Sequence, residues 1–258
     1  MSEKTNRMGY MPGCALPSYS PANVQATVKH LKNVFPDLSV IQKCCGKPTQ
    51  AIGQADMFNK RLENLLDDIK YCEIDELIVS CQSCMKLLSK VKDFKTTSLW
   101  EIFPKIGLPE EIRGKAKNSD AVFSLHDSCS VRDYTGIHDG IRWIMNELGY
   151  KTVEPERTRA NTRCCGFGGM VVPANPDVAK RVMVRRVGDF PTDKIVVYCA
   201  ACRSSMLQAG GNAWHILDLI WGDVVYANTS PPANVLANPI KAWGNRYKSK
   251  SLIKAAMK

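Results

Sequence analysis

Eleven cysteines in a chain of 258 residues are more than small buried side chains require in a reducing cell, and their spacing is regular. Cys14, the adjacent Cys44-Cys45-Gly46 and the pair Cys81-Gln82-Ser83-Cys84 are followed by Cys129, Cys164-Cys165-Gly166 and Cys199-Ala200-Ala201-Cys202. Cys14 and Cys129 are 115 residues apart, Cys44 and Cys164 are 120 apart, and Cys81 and Cys199 are 118 apart. Such matched offsets mark one unit used twice, and ten of the eleven cysteines fall in it.

A Cys-x-x-Cys between a strand and a helix offers two sulfurs on one loop, with helix N–H groups nearby to favour the thiolate. Alone it fits a redox dithiol, half a zinc site or half an iron–sulfur site. A dithiol leaves three further cysteines in each half without a task. A zinc tetrahedron takes four ligands and leaves one over, as does a cubane cluster with its usual four cysteines. Neighbouring Cys-Cys side chains diverge in most backbone conformations, so they serve two metal ions more easily than one. The glycine after each pair permits a positive φ and a close approach of backbone to sulfur. The run Cys164-Cys165-Gly166-Phe167-Gly168-Gly169 does not fit GxGxxG, which excludes a dinucleotide fingerprint there.

The elements that must carry these loops alternate between strand-like and helix-like patterns, as βαβ units do. Residues 75–81 (DELIVSC) and 193–199 (DKIVVYC) are short apolar runs ending on the first cysteine of each pair. Residues 121–129 (AVFSLHDSC) run into Cys129, and 8–14 (MGYMPGC) are their weaker counterpart. Helix-like stretches cover 56–69 and 177–187. The expected fold class is α/β: two pseudo-symmetric, Rossmann-like halves with parallel sheets, the cysteine loops at the strand carboxyl ends, where open α/β sheets bind ligands. The expected domains are 1–118, 119–227 and a basic, linker-like tail, 228–258, with the break in the polar stretch 108–119.

The start of the chain shows no secretory signal pattern and no window is apolar enough to span a bilayer, so a cytoplasmic protein is expected, with membrane association through partners left open. The net charge is +10. Lys241, Arg246, Lys248, Lys250, Lys254 and Lys258 in the tail supply six of those charges with no acidic residue among them. The tail is therefore read as a solvated end, open to peripheral contact with an anionic membrane or an acidic partner. The remaining body is too weakly basic for a nucleic-acid footprint.

The pattern Cys, Cys-Cys-Gly, Cys-x-x-Cys, with gaps of 29 and 35 residues in the first half and 34 and 33 in the second, resembles the CCG cysteine-rich domains of the B-subunit of heterodisulfide reductase. It is similar also to subunits of lactate, glycolate and glycerol-3-phosphate oxidation systems. The resemblance runs from Met8 to about Asp223 and is closest in the second half, through LHDSC, CCGFGG and WHILDLI. It implies a non-cubane 4Fe–4S cluster in each half, ligated by Cys14, Cys44, Cys45, Cys81 and Cys84 and by Cys129, Cys164, Cys165, Cys199 and Cys202. It further implies an oxidoreductase subunit that reduces a disulfide, or oxidises thiols, at two such clusters. Disulfide chemistry fits, because it needs two electrons and two stabilised thiolates. An electron relay between a dehydrogenase and a quinone or ferredoxin is the alternative, and a zinc-stabilised interaction module a third. The chain lacks a CxxCxxCxxxCP run and a flavin or nicotinamide loop, so a ferredoxin-type iron–sulfur subunit is the first expected partner and a flavoprotein subunit the second.

Four further features could bear on the chemistry. His126 and Asp127, just before Cys129, are candidates to donate to sulfur or to protonate a leaving thiolate, although the first half has Met11 and Pro12 there. Cys72 lies outside the repeat and reads as a structural thiol. His215 reads as a core or capping histidine. Lys180, Arg181, Arg185 and Arg186 read as a solvated basic stripe.

Overall fold

The computed structural model describes residues 6–257; residues 1–5, assigned above to the first domain, and Lys258, counted in the basic tail, lie outside them. The chain divides into two compact units, residues 1–99 with 244–258, and residues 100–243.

In the first unit β1 (Met8–Met11) is followed by α1 (Ala15–Tyr19), α2 (Pro21–Val34), β2 (Ser39–Val40), α3 (Lys47–Ala51), α4 (Ala55–Tyr71), β3 (Glu76–Val79), α5 (Gln82–Leu88) and β4 (Lys95–Ser98). The strands pair in parallel in the order β2-β1-β3-β4. Both central strands are buried along their whole length, as a parallel sheet covered on both faces requires. The start of α2 follows from Ser20 and Pro21: the serine side chain accepts from the Asn23 N–H and proline occupies the first turn.

α6 (Leu99–Ile106) leads into the second unit, which contains β5 (Val122–His126), α7 (Thr135–Leu148), β6 (Lys151–Val153), α8 (Val171–Ala174), α9 (Pro176–Val187), β7 (Lys194–Val197), α10 (Ala200–Gln208), β8 (Asn212–His215) and α11 (Ile216–Trp221). Its strand order, β6-β5-β7-β8, again all parallel, repeats that of the first unit. The halves are thus two α/β sheets of the same topology. Asn175 caps α9 through Val178 N–H. His215 caps α11 in a reciprocal box with Asp218, the capping role read from its sequence context.

The division between units falls at 99/100 rather than 118/119. The reason is α6: Trp100 and Phe103 are fully buried, with Trp100 6.2 Å from the Tyr198 ring and 6.0 Å from His215, and Phe103 6.4 Å from Trp221. α6 lies so close to α7 that a Cβ on Gly140 would stand 1.9 Å from the Trp100 carbonyl oxygen.

The tail also departs from a linker. Arg203 donates to the carbonyls of Pro232 and Ala233, and Asn234 Nδ2 donates to Ser204 O at 3.2 Å. α12 (Pro239–Met257) then runs for 19 residues, its later part belonging to the first unit. There Asn245 Nδ2 donates to the carbonyls of Ser18 and Tyr19 at 3.0 and 3.3 Å, Lys32 Nζ donates to Met257 O, and Ser249, Ile253 and Ala256 are buried. Ile253→Ala should therefore destabilise the protein by roughly 2–5 kcal/mol, the range for truncating a buried aliphatic side chain. An unchanged thermal midpoint would show that α12 is not part of the folded unit. Trp243 and Tyr247 stay exposed.

Candidate metal centres

Each sheet places its cysteines where chain direction across the sheet reverses. The chain leaves β1 toward β2 on one side and reaches β3 on the other, so the crevice at the carboxyl ends of β1 and β3 is the switch point of the first unit. Cys14 follows β1, Cys44 and Cys45 follow β2, and Cys81 and Cys84 follow β3. In the second unit β5, β6 and β7 deliver Cys129, Cys164 with Cys165, and Cys199 with Cys202 in the same way.

The sulfurs converge in both units. Cys14 is within hydrogen-bonding reach of Cys44, Cys81 of Cys84, and Cys84 Sγ lies 3.3 Å from Cys45 Sγ. In the second unit Cys129 reaches Cys164, Cys165 reaches Cys202, and Cys202 reaches Cys199. The adjacent cysteines therefore face two different partners, as their divergence predicts. Cys164 also interacts with Cys165.

Gly46 and Gly166 make the loops possible. Their φ angles are +79° and +89°, and their N–H groups donate to Cys44 Sγ at 3.4 Å and Cys164 Sγ at 3.3 Å. A Cβ on Gly166 would stand 2.7 Å from Met183 Cγ and 2.9 Å from Ala179 O, so a side chain is excluded by both conformation and space.

The electrostatics are parallel. The hydrogen bond from Cys14 lowers Cys44, and the one from Cys129 lowers Cys164, while the donors Cys14 and Cys129 are pushed up. The first cysteine of each adjacent pair is thus the favoured thiolate, helped by the glycine N–H. Arg61 and Arg246 add positive charge at Cys44, and Arg132 does so at Cys129. Arg246, read with the solvated tail, is instead carried by α12 to the first cysteine group. The donor set is all sulfur and numbers five in each unit, one more than a zinc tetrahedron takes, which fits a polynuclear iron–sulfur centre. Cys72 stands outside both groups, at the C-terminal end of α4.

Asp127 is not a free acid. Its Oδ1 accepts from Arg142 Nη1 at 2.7 Å and Tyr198 OH at 3.2 Å, and its Oδ2 from Arg142 Nη2 at 2.8 Å, Thr158 Oγ1 at 3.0 Å and the Arg159 N–H at 2.8 Å. Against the penalty of burial, the Arg142 guanidinium and these donors hold its carboxyl down at about 2. It ties the loops together, since Tyr198 precedes Cys199, and its OH also accepts from the Ser128 N–H next to Cys129. His126 is buried, with a ring nitrogen and the sulfurs of Cys165 and Cys202 all within 4.8 Å of one another. Burial and the neighbouring Arg186 push it down to about 3.

Arg186 corrects the reading of the basic stripe. Lys180, Arg181 and Arg185 are exposed, but Arg186 turns inward with Ala179 and Met183 on the buried face of α9. Burial of its guanidinium is offset by Asp189, at 3.2 Å, and by the Phe190 ring, 4.4 Å from the guanidinium carbon. Sequence reasoning missed Arg142 altogether and placed Arg246 only in the solvated tail; nothing in their spacing separates them from surface arginines. Tyr198 had a visible signal, its place next to Cys199.

The family model described as "Cysteine-rich domain" (CCG) matches residues 8–89 and 123–207, together more than half of the chain. The chain is 25% identical over 217 residues to the D-subunit of the dihydromethanophenazine:CoB–CoM heterodisulfide reductase of Methanosarcina acetivorans, covering 78% of this chain and 53% of that protein. It is 27% identical over 210 residues to an uncharacterized iron–sulfur protein of Methanocaldococcus jannaschii, covering 78% and 41%. It is 26% identical over 238 residues to the B-subunit of the fumarate reductase (CoM/CoB) of Methanothermobacter marburgensis, covering 84% and 47%. The chain thus spans about half the length of the curated relatives it matches. No helix among the described residues is long and apolar enough to cross a membrane.

Proposed function

The chain belongs to the CCG cysteine-rich domain family, and from that premise we propose that it is an iron–sulfur oxidoreductase subunit, holding one non-cubane 4Fe–4S centre in each half and reducing a disulfide or oxidising thiols. One observation carries the proposal: five thiols converge at the switch point of each sheet, in the same order. In the first half Cys14, Cys44, Cys45, Cys81 and Cys84 would hold the centre, and in the second Cys129, Cys164, Cys165, Cys199 and Cys202.

When bound, such a centre supplies electrons and iron with an affinity for thiolate sulfur. The protein's own part is positioning and electrostatics. Gly46 and Gly166 N–H groups meet the sulfurs of Cys44 and Cys164. Arg61, Arg246 and Arg132 offset accumulated negative charge. Ile195, Val197, Met206 and Ala213 pack around Cys165 and Cys202 and keep that side dry. The partners that follow are a ferredoxin-type iron–sulfur subunit, a flavoprotein subunit and a small disulfide or thiol, within a complex in keeping with the names of its relatives, which are themselves parts of reductases.

Metal and sulfide analysis of anaerobically purified protein, with a visible spectrum before and after addition of disulfide to the reduced form, tests the proposal. About eight irons are expected, as two four-iron centres require, together with a spectral response to disulfide. A colourless zinc protein would overturn the proposal. An iron–sulfur spectrum indifferent to disulfide and thiol would replace disulfide chemistry by electron relay.

A further inference from the structure

The second half carries a group at its switch point that the first lacks. His126 pairs with Val197 in β7, where the first half sets Met11 beside Val79; both side chains are buried. His126 Nδ1 accepts from Arg186 Nε at 3.2 Å, and Nε2 is buried with no hydrogen-bond partner among the described residues. Arginine stays protonated in proteins and donates only, so the nitrogen facing it must present a lone pair. In a neutral ring the proton then sits on Nε2. Arg186 is itself held by Asp189 Oδ2 at 3.2 Å, Thr162 Oγ1 at 3.4 Å and the Phe190 ring. The tautomer is therefore fixed by residues of the second half alone.

We propose that His126 donates its Nε2–H to a sulfur of the centre in the second half, and that this makes the two centres unequal electron acceptors. The inference rests on the iron–sulfur reading above. His126 has a ring nitrogen within 4.8 Å of the Cys165 and Cys202 sulfurs, and its buried Nε2–H, without a partner among the described residues, is a donor waiting for an acceptor of negative charge. Reduction adds negative charge, and hydrogen bonds to cluster sulfur are among the features that set its potential. The bond therefore favours the reduced state. Met11 offers no donor, so the first centre lacks this contribution. The same geometry argues against two other roles. Ligation of iron would need the lone pair of Nε2, and the proton could not then move to Nδ1 against Arg186. Proton delivery to a leaving thiolate would turn a neutral imidazole into an anion. His126 is a positioning residue for electrons, not a ligand or an acid.

The test is a reductive titration of the full anaerobic protein, with its iron content measured first. A wild type without iron would sink the iron–sulfur reading itself and leave nothing for His126 to tune. With iron present, His126→Leu should keep its metal, while the wave of the second centre, identified as the one missing from Cys164→Ser, moves to lower potential. A tenfold fall in its reduced-to-oxidised ratio at fixed potential is expected, about 59 mV for one electron. The other wave should stay in place, and His126→Gln, which retains a side-chain N–H, should recover part of the shift. Unmoved waves in a loaded His126→Leu protein would overturn the inference. Should that variant fail to fold, pulsed electron paramagnetic resonance of the reduced wild type with ¹⁵N-histidine decides. A weak coupling transmitted through a hydrogen bond supports the proposal, whereas a coupling typical of coordinated imidazole, or none, refutes it.

Discussion

Cys164→Ser should lose the iron of the second half while keeping that of the first, and Cys44→Ser should do the reverse. Cys164 is the hub of its group: its sulfur meets Cys129, Cys165 and the Gly166 N–H. A serine hydroxyl stays protonated at neutral pH and is a hard oxygen donor, poorly suited to iron–sulfur ligation. The first half draws its thiols from residues 14–84 and has its own sheet, so it should load independently. The measurement is iron per chain beside the circular dichroism of each variant. Cys72→Ser, outside both groups, should retain all the iron. A Cys164→Ser protein with wild-type iron would remove the ligand assignment, and so would a Cys72→Ser protein that lost a centre.

The repeat made the cysteine groups legible, because strands ending on cysteine at matched offsets leave little freedom in where the loops can go. β1, β3, β5 and β7 begin and end within a few residues of the apolar runs that predicted them. What stayed hidden depends on which surface meets which. The apolar side chains of α6 would suit packing on the unit before it or the unit after it, so only the structure settles that Trp100 and Phe103 belong with Tyr198, His215 and Trp221. α12 buries Ser249, Ile253 and Ala256, small or single apolar residues that make no stripe a reader of sequence would recognise. Arg186 was misread for a related reason. One helical turn separates Arg181 from Arg185, and both are exposed, but Arg186 shares the inward face with Ala179 and Met183. The charge of an arginine argues for solvent only until Asp189, Phe190 and the His126 ring are known to surround it.

Asp127→Asn should destabilise the second unit by about 3–5 kcal/mol, the usual effect of removing one partner of a buried ion pair, and should empty the second centre of iron while sparing the first. The carboxylate is fully buried and Arg142 nearly so, with side-chain exposures of 0% and 16%. Asparagine keeps the shape, but its amide nitrogen must face Arg142 in either orientation, together with Tyr198 on one side or Thr158 and the Arg159 N–H on the other, all of which now donate to Asp127. The loss reaches the cysteines because the network is a bracket. Thr162 Oγ1 donates to Asp127 O at 2.8 Å, two residues before Cys164, and Tyr198 and Ser128 adjoin Cys199 and Cys129. The first half has Pro12 at this place and a link of similar position, Tyr10 OH to Ser80 Oγ at 2.9 Å, beside Cys81. Glu154→Gln is the control: Glu154 shares the same arginine at 2.8 Å but is 43% exposed, so its loss should be under about 1 kcal/mol. Thermal melts and iron analysis of both variants decide the point. If Asp127→Asn melts with wild type and keeps its iron, the bracket is not what holds the three loops of the second centre together. If Glu154→Gln falls as far as Asp127→Asn, the stability resides in Arg142 and its exposed partner and not in the buried carboxylate.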